Sequence, residues 1–283
     1  MALTSVAERF TEPGDAYRPR HVLMCRPEYF AVSYEINPWM HTSVPVDRRL
    51  AIRQWEQIVR TYESLGHTVE FVDPVLGLPD MVFAANAGVV IGGRVYVAKF
   101  RYPERQGEEL PYAAWFRGHC DRVVKATEIN EGEGDFAVVG ETVFAGYGFR
   151  TDLAAHDELR AQLNVPVVSL RLVDPRFYHL DTALAVLRDD NIAYFPGAFN
   201  AVSQDLLRER FPHALIVQER DAEAFGCNAM SDGHHVMVSA QATGFIETLR
   251  VAGYDAIPID TSELRKAGGS VKCCTLELRG DKR

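Results

Sequence analysis

The amino-acid order predicts an α/β fold in which five helix-strand-hairpin modules close into a ring. Two observations carry this reading. A helix, a strand and then a hairpin or final strand recur five times along the 283 residues. A polar residue also stands at the entrance of each hairpin, at Asn86, Glu133, His179, Asn228 and Cys273, with spacings of 47, 46, 49 and 45 residues. Identity between the copies is negligible, so the repeat is one of pattern. When equivalent units close in a ring, equivalent positions meet around its axis, which would gather a thiol, an imidazole and a carboxylate.

The first module opens with an amphipathic helix over Val46 to Leu65, where Leu50, Ile52, Trp55, Ile58 and Val59 fall on one side and Gly66 stops it. The β-branched and aromatic run His67 to Asp73 reads as a strand, and VVIGGRVYVA reads as a hairpin turning at Gly92-Gly93. The later helices are expected at Glu108 to Arg117, Thr151 to Leu163, Ser203 to Phe211 and Ala240 to Ala252. The strands after the five helices are TVEFV, RVVKA, VPVVSL, ALIVQ and DAIPI, and the hairpins or final strand begin at Ala87, Asp135, Asp181, Ala229 and Cys273. An N-terminal arm, residues 1–20, then precedes a single catalytic domain, residues 21–283. With 47% hydrophobic residues the chain is long enough for a large core.

A net charge of −9 argues against a nucleic-acid-coating surface and is compatible with a small cationic ligand. The opening segment lacks the pattern of a signal or transit peptide, and no window approaches a membrane span, so no membrane partner and a cytoplasmic location are expected. Homo-oligomerisation is left open. The five cysteines form no CxxC pair and no disulfide scaffold. Adjacent residues on a strand face opposite ways, so neither His234-His235 nor Cys273-Cys274 makes a chelating pair. Without a zinc spacing, a P-loop or GxGxxG, no metal and no cofactor are expected.

Taken alone, Cys273 would be a buried structural thiol. Its setting in GGSVKCCTLEL changes that, because Gly268-Gly269 lets backbone approach a ligand and a cation such as Lys272 would favour the thiolate. Cys274, one residue on, is expected in the core. His179 precedes an apolar run and would ordinarily be a core histidine. Asp181, two residues on, would share its face if the segment is a strand, giving an acid-base imidazole beside a substrate-holding carboxylate. In EGEGD, Glu131, Glu133 and Asp135 would crowd one side of an extended chain, an arrangement that needs cations nearby; Arg105 and Arg150 are candidates, and either also suits a surface.

These residues resemble the pentein, or guanidino-group-modifying, superfamily. The motifs are CRPEYFAVSYEINPWM, LPDMVFAANAG, EGEGD, HLDT and GGSVKCC, which cover nearly the whole chain beyond Arg20. The resemblance implies a five-bladed α/β propeller, a guanidino amino acid as substrate, Cys273 as nucleophile and His179 as general acid and base. It also implies a glutamate partner for His179, preferably Glu133, with Glu131 in competition because the commoner motif is EGGD. Asp181 would hold the guanidinium, while Asn37, Asp80, Phe83, Arg105 and Arg150 would hold the amino-acid end or shape its pocket. Asn86 stands where deiminases and dimethylarginine hydrolases usually carry Asp, and an amide tolerates a neutral ureido group. That departure and Asp181 favour arginine dihydrolysis; dimethylarginine hydrolysis and arginine deimination are the alternatives, and a non-catalytic docking module is the alternative of another class.

Overall fold

Strand β1 (His21–Cys25) is buried over four of its five residues and pairs in parallel with β2 (Thr68–Val72), in register from His21 opposite Thr68 to Cys25 opposite Val72. The helix that connects them, Arg48–Ser64, buries Ala51, Trp55, Ile58, Val59 and Tyr62. It starts two residues later than periodicity alone suggests because the Asp47 side chain accepts a hydrogen bond from the Leu50 amide and fixes the start. The structure, a computed structural model, describes residues 17–280, so residues 1–16 of the expected arm lie outside the described residues.

Four further sheets repeat this unit, each preceded by an inner strand. In β3 (Gly88–Ile91), β4 (Arg94–Val97) and β5 (Arg122–Lys125), an antiparallel hairpin is followed by the helix Glu109–His119 and a parallel outer strand. Gly92 and Gly93, at φ 56° and 70°, give this hairpin the left-handed two-residue turn that matches strand twist. The third sheet holds β6 (Phe136–Val139), β7 (Thr142–Tyr147) and β8 (Val167–Arg171), with the helix Leu153–Leu163. The fourth holds β9 (Leu184–Arg188), β10 (Asn191–Tyr194) and β11 (Leu215–Ile216), with the helix Ala201–Arg210. The fifth holds β12 (Met230–Ser231), β13 (His235–Ser239) and β14 (Asp255–Ile259), with the helix Thr243–Val251. That helix begins later than expected because the Ala240 amide is still paired with the Ile259 carbonyl.

The first sheet obtains its inner strand from the other end of the chain. In β15 (Leu276–Glu277), Glu277 lies antiparallel to Val22 and Leu276 to Leu23, giving the order β15-β1-β2. Neighbouring inner strands touch, β15 against β3, β6 against β9 and β9 against β12, and the turn Gly132–Gly134 links β3 to β6. The arrangement is the expected five-bladed propeller, with buried apolar clusters filling the seams between blades. Among the described residues no helix is long and apolar enough to cross a membrane.

Leu276 is wholly buried in the seam where the first blade meets the second. Leu276→Ala is expected to lower the unfolding free energy by roughly 2–5 kcal/mol, measured by urea denaturation.

Candidate active site

EGEGD does not run as an extended strand. Gly132 adopts φ 56° and turns the chain into the short helical segment Gly132–Gly134, so the three carboxylates separate and each meets its own partners. A Cβ on Gly134 would stand 2.3 Å from Asn86 Nδ2 and 3.2 Å from the His179 ring, so the second glycine is needed for those side chains to approach.

Glu131 is the partner of His179, with Oε2 2.8 Å from His179 Nε2; the preference for Glu133 is corrected. Glu133 instead points along the axis to Lys272 Nζ at 2.5 Å, to Arg279, and to the Glu277 amide at 3.1 Å. Two cations and the closing strand draw it away from the imidazole. Burial alone would raise the Glu131 carboxyl, but Arg150 at 2.8 Å, His179 and Arg105 outweigh it and hold it well below the usual carboxylate range. The carboxylate therefore fixes the imidazole through Nε2. Asp135 accepts from the Leu180 amide at 3.0 Å, and burial pushes its carboxyl up to about 6.

His179 and Asp181 are not brought together by strand alternation. His179 precedes a single helical turn, Leu180–Ala183, and the strand starts only at Leu184. The turn nonetheless buries Asp181 beside the thiol, with Cys273 Sγ donating to Asp181 Oδ2 at 3.2 Å. Asp181 Oδ1 is buried and meets no hydrogen-bond donor among the described residues. Burial pushes the Asp181 carboxyl up to about 7, against the pull of Cys273 and Lys272.

Cys273 occupies a turn before β15, not the start of a strand. Burial first and Asp181 second push its thiol well above the ordinary range. Lys272 does not ionise it by contact, since its ammonium is taken by Glu133 and the Thr275 carbonyl. Cys274 is fully buried in the seam under the first blade. The glycine pair has a packing reason: a Cβ on Gly269 would stand 2.4 Å from the Phe83 ring and 3.1 Å from Cys273 Cβ. Phe83 thus lies against the turn that carries Cys273.

Both arginines are buried, not on the surface. Arg105 makes a two-pronged ion pair with Glu108, each bond 2.8 Å, and donates to Asn86 Oδ1 at 2.7 Å and the Asp80 carbonyl at 3.2 Å. Asp80 takes a bond from Tyr34 at 3.0 Å, yet its Oδ1 is buried and meets no donor among the described residues. Burial raises the Asp80 carboxyl, with Arg105 opposing, and lifts Glu108 to about 7. Arg150 lies over the rings of Tyr102 and Tyr178 and donates to the Ile36 carbonyl at 2.8 Å, tying Glu131 to the segment that carries Asn37. Asn37 donates to the Ala267 carbonyl at 3.1 Å, beside the glycines.

Sequence reading gave no role to Glu108 or Asn228. Glu108 gave no usable signal, because its burial depends on the turn Pro103–Gln106 folding Arg105 inward. Asn228 did have one, its place in the 45-residue spacing to Cys273. Its amide touches the Cys273 thiol, with Nδ2 3.0 Å from Sγ. Among the described residues, no group of three or more His, Cys, Asp or Glu side chains is arranged to hold a metal.

The family model of eukaryotic N,N-dimethylarginine dimethylhydrolases matches residues 26–280. The N(G),N(G)-dimethylarginine dimethylaminohydrolase of Mycobacterium tuberculosis is 53% identical over 92% of this chain and 86% of that protein. The bifunctional arginine dihydrolase/ornithine cyclodeaminase ArgZ of Synechocystis sp. is 39% identical over 91% of this chain, which spans 37% of that longer protein. The crystal structure of the ArgZ N-terminal domain, an arginine dihydrolase studied as a cysteine-to-serine mutant bound to substrate, superposes with a TM-score of 0.88 at 37% identity, covering 92% of this chain and 98% of that domain. A buried Cys, His and Glu around the axis of a five-bladed propeller, with a family match over nearly its whole length, places this chain in the dimethylarginine dimethylaminohydrolase family of the pentein fold.

Proposed function

We propose that the protein hydrolyses the guanidino group of arginine through a covalent Cys273 thiouronium, carrying out two hydrolyses to release ornithine, two ammonia and carbon dioxide. The observation that carries this reading is the unpaired Asp181 Oδ1 on a carboxylate whose other oxygen holds the Cys273 thiol. A buried carboxylate oxygen without a donor invites a cation that carries N–H groups, and a planar guanidinium meets that demand beside the sulfur. Asp80 Oδ1 is a second such oxygen and suits a substrate ammonium.

Binding a cation next to Asp181 offsets the charge that keeps the thiol protonated, so the thiolate forms as substrate docks and the thiol's proton passes to the His179 imidazole. Its sulfur attacks the guanidinium carbon, and His179, held by Glu131, protonates the departing nitrogen. Ammonia leaves and the thiouronium remains. His179 then takes a proton from water, the hydroxide adds to the same carbon, and collapse expels the thiolate and a ureido product. A second pass over that neutral product is the dihydrolase step, in which the Asn86 amide accommodates an oxygen where a carboxylate would repel it. Dimethylarginine hydrolysis to citrulline and dimethylamine is the second reading, favoured by the 53% identical relative of that name.

The product assay decides between them. Arginine should yield ornithine with two ammonia per turnover; citrulline as the sole product would overturn the dihydrolase reading, and faster release of dimethylamine from dimethylarginine would select the second. Cys273→Ser should abolish turnover of either compound. Glu131→Gln should cut kcat by about a hundredfold or more by releasing the imidazole, whereas Glu133→Gln should lower the melting temperature with a smaller loss of kcat. Because Asp181 must be ionised to receive the cation, kcat/KM should fall as the pH drops below about 7, and Asp181→Asn should abolish that limb along with most activity. The unfolded chain loses the same proton near pH ~4, so folding stability should decline as pH rises from there to about 7, a slope that urea titrations of Asp181→Asn should lack.

A further inference from the structure

Asn228 is wholly buried and all its side-chain hydrogen-bonding capacity is directed at the nucleophile turn and its neighbour. Oδ1 accepts from the Cys273 amide at 3.0 Å and the Ser270 amide at 3.1 Å. Nδ2 donates to the Asp181 carbonyl at 3.1 Å and lies 3.0 Å from Cys273 Sγ. The two backbone donors settle which end of the amide is which: the oxygen must face them, so the N–H group must face the sulfur.

We propose that Asn228 is a catalytic residue that stabilises the Cys273 thiolate through a direct N–H to sulfur hydrogen bond, and that its carbonyl oxygen fixes the turn carrying that sulfur. This rests on Cys273 being the nucleophile. In the resting state the thiol donates to Asp181 and accepts from Asn228. When a guanidinium takes over Asp181 and the proton leaves, Asp181 ceases to be a thiol acceptor, while the neutral amide donor remains on the sulfur. The other titratable or charged groups around the sulfur do not replace it. Asp181 and Cys274 disfavour its negative charge, the Tyr178 hydroxyl donates to the Gly268 carbonyl at 2.7 Å, and His179 is held by Glu131 at 2.8 Å. Lys272 and Arg279 are paired with Glu133. The Cys273 amide is spent on Asn228 Oδ1; the Ser270 amide, which also donates to Asn228 Oδ1, favours the thiolate as well, so Asn228 both donates to the sulfur and holds the backbone donor that assists it.

The test is Asn228→Asp, which keeps an oxygen for the two backbone amides but replaces the donor facing sulfur by a second oxygen, with Asn228→Ser as a shorter variant. The rate of Cys273 alkylation by iodoacetamide is followed against pH, with the modified peptide resolved from those of the other cysteines by mass spectrometry. Asn228→Asp should move the alkylation profile upward by about one pH unit or more, a tenfold or larger loss of thiolate at fixed pH, and should lower kcat more than it raises KM. A profile unchanged from wild type in a variant of unaltered melting temperature would overturn the proposal. In the wild-type fold, the Asn228 side-chain amide resonances should shift when Cys273 is alkylated. Their failure to move would overturn it equally, whether or not either variant folds. If instead Cys273→Ser retained turnover, the nucleophile assignment would fail first, an outcome that alkylation profiles do not produce.

Discussion

A carboxylate that is buried with only one of its two oxygens satisfied sets the terms for everything around it. Asp181 lies in a place where burial penalises its charge, and the nearest group it can use is a thiol, a weak donor. The thiol is the donor that Oδ2 has, and the carboxylate in turn keeps that thiol protonated. A guanidinium supplies N–H donors and positive charge together, which relieves both at once. On the proposed mechanism, selectivity for a cation and activation of the thiol are thus one electrostatic event. The acidic composition of the chain has local meaning here, because Asp80, Glu108, Glu131, Glu133 and Asp135 are also buried, and most are matched by Arg105, Arg150, Lys272 and Arg279.

That matching divides the acids into two sets. Glu133 and Glu277, with Lys272 and Arg279, knit the axis and the closing strand. Glu131, with Arg150, orients the imidazole and reaches the Ile36 carbonyl on the segment before Asn37. A single residue separates Glu131 from Glu133, yet the positive φ of that residue, Gly132, sends them to different partners.

The fold was legible in the sequence because its signal is periodic. Helix faces, β-branched runs and a polar residue every 45 to 49 positions all survive without sequence identity, and the strands TVEFV and DAIPI lie where composition puts them. Errors came where a local turn overrides periodicity. The EGEGD segment is turned by Gly132, HLDT forms a helical turn instead of a strand, and Cys273 precedes its strand by a further turn. Each error lies at the site, where side-chain direction is set by a tight turn that alternation rules do not describe. Pairings such as Glu108 with Arg105 depended on burial, which no spacing reveals.

Cys273, the proposed nucleophile, lies three residues before β15, the short strand that pairs with the first blade. A chain emerging from the ribosome would carry His179, Glu131 and Asp181 long before it could seat Cys273 among them. Until residue 273 is in place, Asp181 and Asn228 lack the sulfur that each of them touches. On the proposed mechanism, a chain that stops short of residue 273 therefore holds the carboxylates and the imidazole without a nucleophile.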